Sequence, residues 1–116
     1  MNMPVTVEIA DEAVAAVDFD EVFSYFTEID RRFSVYKEDS EINALNRGKI
    51  NIDKASAEMQ EVFKLSAETK KITKGYFDIE FSSGIFDPSG LVKGWAIYNA
   101  AQILKEKGYA NFYVAA

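Results

Sequence analysis

The chain has 116 residues and a formal net charge of −6, so its length suits one modest domain and its charge disfavours a nucleic-acid partner. It contains no cysteine and no histidine, which excludes disulfides, thiolate metal sites and histidine-dependent catalysis by this chain alone. No apolar run approaches the roughly 20 residues that span a bilayer, and no secretory signal pattern opens the sequence.

The first part of the chain shows one strand pattern followed by two helix patterns. Residues 3–10 alternate apolar and polar side chains, as a strand with one buried face does. Apolar residues from Phe19 to Phe33 recur at steps of three and four, which predicts a helix capped by Asp18. A shorter helix is expected to begin after Ser40 and to end at Gly48.

The middle of the chain predicts a short strand, a helix and an irregular stretch. Lys49–Asp53 alternates again, and a helix is expected to begin at Ser56 and to end at Gly75. The inward face of this helix is predicted to consist of Met59, Val62, Phe63, Ala67 and Ile72. Residues 76–89 combine aromatics, glycine and proline without a helical period, so we expect a strand edge with loops.

A last helix and a closing strand complete the pattern. The helix runs from Leu91 to a stop at Gly108, and the strand covers Asn111–Ala115. Strands separated by helices favour an α+β fold with mixed helix and sheet layers, here one domain over residues 1–116 that is cut off after its closing strand. Because a buried strand needs partners, we expect it to pair with another copy or with a C-terminal part beyond this chain.

Three segments could carry chemistry. Asp87–Trp95 is a loop running into a helix, whose free amides, with Lys93, could face an anion. Tyr76–Ile79 places aromatic rings beside a carboxylate, which suits a planar heterocycle. Phe33–Asn46 holds a tyrosine and small polar side chains in a connection between helices. Taken one at a time, helix capping and core packing are the commoner explanation for each segment.

The same segments also form an ordered set of motifs. An opening strand MNMPVTVE is followed by FSVYKEDSEINALNRG, KGYFDI, DPSGLVKGWAI and NFYVAA. In this order they resemble the ApbE family of FAD:protein FMN transferases over essentially the whole chain. The resemblance implies a protein that binds FAD and Mg²⁺, cleaves the FAD pyrophosphate, and attaches FMN to a threonine or serine of a target flavoprotein.

The resemblance also implies roles for individual residues. The cofactor-binding positions that it implies are Met1, Tyr36, Tyr76, Phe77, Asp78, Asp87 and Lys93. The backbone carbonyl of Gly90 matches a place that helps to hold the magnesium. The family's acidic metal ligands and catalytic histidine belong to a portion beyond NFYVAA, so catalytic residues stay unassigned and this segment is expected to be inactive alone.

One alternative function and the localisation stay open at this point. Because the chain lacks a complete catalytic set, it could serve as an FAD-binding module or carrier without transferase activity. Family members are usually exported, as periplasmic proteins or membrane-anchored lipoproteins, although this sequence shows no segment that would direct export.

Overall fold

The computed structural model describes residues 4–116 and combines helices with small antiparallel sheets, which confirms the α+β class. In chain order the elements are β1 (Thr6–Ile9), α1 (Ala16–Phe33), α2 (Glu41–Asn46), a 3-10 turn (Ile52–Lys54), α3 (Ala57–Ile72), β2 (Glu80–Ser82), β3 (Ile85–Phe86), α4 (Ser89–Glu106) and β4 (Phe112–Ala115). Two compact units are present: a central unit, Arg31–Val92, and a terminal unit, residues 4–30 with Lys93–Ala116.

Both helix starts predicted in the central unit are confirmed by their capping bonds. Ser40 Oγ accepts a hydrogen bond from the Asn43 amide at 3.3 Å, and Ser56 Oγ accepts one from the Met59 amide at 3.2 Å. Glu41 links the two starts, because its carboxylate accepts from the backbone amide and the hydroxyl of Ser56, both at 2.6 Å. The beginnings of α2 and α3 are therefore fixed to each other.

The core of the central unit draws on four helices. Its fully buried apolar side chains are Phe33, Ile42, Met59, Val62 and Val92. The predicted burial is confirmed for Met59 and Val62 of α3. It is wrong for Ala67, which is exposed, and for Ile72, which is 81% exposed. The buried stripe continues instead through Ser66, seven residues after Met59. The final turns of α3 therefore extend past the core.

The strand predicted at Lys49–Asp53 is wrong. Ile52–Lys54 forms a single 3-10 turn, in which the Lys54 amide donates to the Asn51 carbonyl at 2.9 Å and the Ala55 amide donates to the Ile52 carbonyl at 3.1 Å. Alternation over five residues is a weak strand signal, and nothing in residues 4–116 pairs with this stretch as a strand. Local bonds between residues three apart therefore decide its conformation.

The irregular stretch predicted after Gly75 contains a small hairpin. Strands β2 and β3 pair antiparallel. The connecting Gly84 has φ +76°, a conformation that is unfavourable for residues with a side chain. The Glu80 carboxylate accepts a hydrogen bond from the Gly84 amide at 2.8 Å and closes the turn. Gly75 ends α3 as predicted, with φ +86° and its amide donating to the Lys70 carbonyl at 2.8 Å.

The terminal unit contains a sheet of two strands from opposite ends of the chain. Strands β1 and β4 pair antiparallel, with Thr6 opposite Ala115 and Ile9 opposite Phe112. Both predicted strands are therefore present, and β1 supplies a partner for one edge of β4. Asp11 anchors the sheet, because its carboxylate accepts from the amides of Ala110 and Asn111 at 3.1 and 2.8 Å.

The sequence suggested Asp18 as the cap of α1, and this prediction is wrong. The helix begins at Ala16, so Asp18 lies in its first turn, and its carboxylate accepts a 2.6 Å hydrogen bond from the Tyr109 hydroxyl. It also forms a 3.2 Å ion pair with Lys107. The Tyr109 bond, followed by Lys107, holds the pKa of Asp18 below its ordinary value.

Between residues 4 and 116, no helix is long and apolar enough to cross a bilayer.

Candidate functional site

The connection from α1 to α2 holds Tyr36 on a tethered backbone. The Tyr36 amide donates to Ser34 Oγ at 3.3 Å, and Asn43 Nδ2 donates to the carbonyls of Val35 and Lys37 at 3.0 and 2.8 Å. The Tyr36 residue is nevertheless 84% exposed. Because the loop backbone is fixed while the ring projects into solvent, the loop presents an aromatic surface ready for a planar ligand.

The turn after α3 presents a second exposed tyrosine in the same manner. Thr73 Oγ1 accepts a hydrogen bond from the Phe77 amide at 3.0 Å, which ties the turn to the end of the helix. Tyr76 is 96% exposed, whereas the neighbouring Phe77 is half-buried. An exposed ring of this size on a restrained turn has no role in the core, so its surface is free for a ligand.

Asp78 is held in its ionised form by contacts with Glu80 and with Lys70 of α3. Its Oδ1 accepts from the Glu80 amide at 3.0 Å, and its Oδ2 lies 3.2 Å from Lys70 Nζ. The pKa of Asp78 therefore lies below the ordinary aspartate value. The hydrogen bond from the Glu80 amide is the larger cause of this shift, and Lys70 is the second. The side chain therefore works as a turn cap, and its remaining acceptor capacity suits a hydrogen-bond donor of a ligand.

Asp87 likewise organises the start of α4. Its Oδ1 accepts from the Ser89 amide at 3.1 Å and from the Ser89 hydroxyl. The Asp87 amide in turn donates to the Ile79 carbonyl at 2.8 Å, which connects this loop to the end of the Tyr76–Asp78 turn. Capping accounts for these contacts, as it did for Asp78, and both carboxylates remain partly exposed.

The structure brings the three motif segments together within the central unit. Asn46, at the end of α2, donates through Nδ2 to the Phe86 carbonyl and accepts through Oδ1 from the Phe86 amide, each at 2.9 Å. A Cβ built on Gly90 would lie 3.9 Å from Cε2 of Phe77, so the first turn of α4 lies against the Tyr76–Asp78 turn. Phe86 also packs on Phe63 of α3, with ring centroids 5.1 Å apart.

The residues present do not complete a magnesium site. Among residues 4–116 there is no group of three or more acidic, histidine or cysteine side chains that could hold a metal ion. Gly90 lies inside α4, and a carbonyl within an α-helix points toward the amide four residues further on. A metal at this place would use the second lone pair of that carbonyl and would need most of its ligands from elsewhere.

Lys93 is exposed on α4 and is the first residue of the helix that belongs to the terminal unit, whereas Tyr36, the Tyr76–Asp78 turn, Asp87 and Gly90 belong to the central unit. Met1 lies outside the described residues, so its predicted role stays a prediction.

The residues that hold the site together could not be identified from the sequence pattern. Asn43 and Asn46 use their side-chain amides as backbone clamps, one on the Tyr36 loop and one on Phe86, forty positions along the chain. Asparagines near the end of a short helix normally indicate a helix stop. Nothing in the local pattern shows that the partner of Asn46 comes from a distant segment.

Comparison with known proteins places this assembly in a family. The model of the ApbE family matches residues 1–85, and the chain belongs to that family. The matched range includes Tyr36 and the Tyr76–Asp78 turn and ends before Asp87, Gly90 and Lys93. The comparison with curated proteins gives no match.

A solved structure extends the likeness to the whole fold. It is the flavin transferase ApbE from Vibrio cholerae, in a histidine-to-glycine mutant, with a TM-score of 0.81 and 16% sequence identity. The match covers 97% of this chain and 56% of that one. At this identity the likeness shows the fold alone, and the chain spans little more than half of the structure that it matches.

Proposed function

We propose that the central unit is the FAD-binding part of an FAD:protein FMN transferase. The observation that carries this proposal is the assembly of the three family motifs, in which Asn46 clamps Phe86 and Gly90 lies against Phe77. FAD is the substrate in this proposal. Tyr36 and Tyr76 offer ring surfaces to the isoalloxazine, and Asp78 offers an acceptor to its ring N–H.

The phosphates of FAD require compensation in a chain with a charge of −6. In the proposal, the positive end of the α4 dipole lies toward the pyrophosphate, and Lys93 adds a positive charge one turn further along the helix. Mg²⁺ would supply further neutralisation and would polarise the phosphorus. Gly90 contributes at most one of its ligands, so the magnesium site is completed by a part of the protein outside residues 4–116.

Transfer of FMN to a threonine or serine of a target flavoprotein is proposed for the complete family protein. This chain spans 56% of the matched flavin transferase and contains no histidine that could act as a base. These residues are therefore proposed to bind the substrate and to orient it, while the rest of the protein supplies the acid-base chemistry. Export of the complete protein, as in other family members, belongs to the same proposal.

FAD binding is tested by titrating FAD with the chain and following the quenching of flavin fluorescence. Tyr36→Ala and Tyr76→Ala should each weaken binding about twofold to tenfold, because a ring-to-ring contact contributes about 0.5–1.5 kcal/mol. Tyr98→Ala is the matched control, since Tyr98 is 63% exposed on α4 and belongs to the terminal unit. Equal affinities for all three variants, or no FAD binding at all, would contradict the proposal.

A second candidate function is an FAD-binding module without transferase activity. The observation that favours it is the lack of an acidic or histidine metal cluster in residues 4–116. Incubation of the complete protein with FAD, Mg²⁺ and a target domain distinguishes the two candidate functions. Release of AMP together with flavin fluorescence on the denatured target supports the transferase, whereas quenching without AMP supports the binding module.

A further inference from the structure

Thr73, the residue that caps the end of α3, binds the backbone on both sides of Tyr76. Its carbonyl accepts a hydrogen bond from the Tyr76 amide at 3.1 Å, and its hydroxyl accepts one from the Phe77 amide at 3.0 Å. These two amides belong to the peptide groups that flank the Tyr76 Cα atom. Because each peptide group is planar, fixing both of them also fixes the direction in which the Tyr76 side chain leaves the backbone.

The Thr73 hydroxyl is itself oriented by α3. It donates to the Thr69 carbonyl at 2.8 Å, so its one proton is directed back along the helix and a lone pair is left for the Phe77 amide. The Thr69 hydroxyl donates in the same way to the Leu65 carbonyl at 2.8 Å. Within residues 4–116 it accepts no hydrogen bond from the turn. Of these two threonines, only Thr73 therefore connects the helix to the turn.

The turn that Thr73 closes contains an unfavourable backbone conformation. Lys74 has φ +55° and Gly75 has φ +86°, and in the described part of the chain Lys74 is the one residue other than glycine with a positive φ. Glycine adopts the left-handed conformation readily, whereas lysine adopts it at an energetic cost. Such a conformation persists only where the surrounding contacts fix it. The two bonds of Thr73 enclose both left-handed residues and supply that restraint.

We propose that Thr73 is a positioning residue of the flavin site, whose hydroxyl holds the strained turn and thereby directs the Tyr76 ring toward the isoalloxazine. This role rests on the proposed function, in which Tyr76 contacts the flavin ring. Tyr76 is 96% exposed, so core packing does not orient its ring and the direction set by the backbone decides where the ring lies. A side chain that is already directed loses less freedom on binding, which is how Thr73 contributes to affinity without touching the ligand.

Hydrogen exchange in the absence of FAD tests the turn by itself. Thr73→Val keeps the shape of the side chain and removes the hydroxyl, so exchange of the Phe77 amide should accelerate about twofold to tenfold. Thr69→Val is the matched control, because it removes a hydroxyl that forms the same backward bond one turn earlier in the same half-buried setting. It should leave exchange at Phe77 unchanged.

Titration of FAD, followed by flavin fluorescence, tests the link to the ligand. Thr73→Val should weaken FAD binding, and by no more than Tyr76→Ala does, about twofold to tenfold. In a chain that already carries Tyr76→Ala, it should have no further effect, because both substitutions act through the same ring. Thr73→Ser keeps the hydroxyl and should retain the affinity of the parent chain, as should Thr69→Val.

The outcomes separate this role from the proposed function. Additive losses for Thr73→Val and Tyr76→Ala, parental FAD affinity in Thr73→Val, or unchanged exchange at Phe77 in that variant would each overturn the role of Thr73 and leave the proposed function in place. An absence of FAD binding by the parent chain would overturn both.

Discussion

The clamp between Asn46 and Phe86 makes a quantitative prediction for Asn46→Ala. The side chain forms two hydrogen bonds of 2.9 Å to the backbone of Phe86. Each is worth about 0.5–1.5 kcal/mol net, which gives about 1–3 kcal/mol for the pair. Alanine recovers about 0.5 kcal/mol through its better helix propensity. The expected loss in the free energy of unfolding is therefore about 0.5–2.5 kcal/mol, and water that reaches both half-buried residues keeps it from being larger.

Urea denaturation followed by circular dichroism measures this loss, and hydrogen exchange locates it. The Phe86 amide donates to Asn46 Oδ1, so its exchange should accelerate more than that of amides elsewhere in the central unit. Asn51→Ala is the matched control, because Asn51 is an exposed asparagine whose side chain forms no capping bond. Equal stabilities for the two variants, with unchanged exchange at Phe86, would refute the clamp.

Two further predictions follow, one for the central unit and one for the terminal unit. Ile42→Ala should reduce the free energy of unfolding by about 2–5 kcal/mol, since Ile42 is fully buried, whereas Ile52→Ala, at 39% exposure, should cost less in the same urea titration. In the terminal unit, the depressed pKa of Asp18 means that its stabilising effect is complete above the ordinary aspartate pKa and is lost as pH falls through the lower pKa of the folded state. Urea midpoints measured at a series of acidic pH values should therefore fall less steeply in Asp18→Asn than in the parent chain; parallel curves would contradict the assignment.

The parts of the fold that the sequence predicted correctly are those set by local signals. Ser40 and Ser56 mark helix starts, and Gly75 and Gly108 take the positive φ angles that end α3 and α4. These residues act on neighbours within four positions, so their effect can be read without knowing the rest of the fold.

The errors concern residues whose behaviour depends on distant partners. Asp18 looks like a cap in the sequence, but Tyr109, ninety-one positions away, takes its carboxylate. Ile72 follows the helical period, yet the core ends before its turn, which leaves it 81% exposed. A periodic pattern gives the direction of a side chain from its helix and not the place where the opposing surface stops.

The candidate site divides in the same way. Tyr36 and Tyr76 could be selected through the family motifs, and both are exposed on tethered turns. The role of Asn46 could not be selected, because its clamp joins segments that are forty positions apart. The family motifs identify the exposed tyrosines more readily than the side chains that hold their loops in place.

The Asn43 clamp makes the Tyr36 loop depend on the chemistry of one side-chain amide. Its side-chain amide donates to the two carbonyls that flank Tyr36, and asparagine is among the thermolabile residues. Hydrolysis of that amide would turn a double donor into a carboxylate that faces two carbonyl oxygens, and so repel the loop that it now holds. A chain with aspartate at this one position would then lose the ordered Tyr36 loop while the rest of its sequence is unchanged, and one added negative charge would mark it.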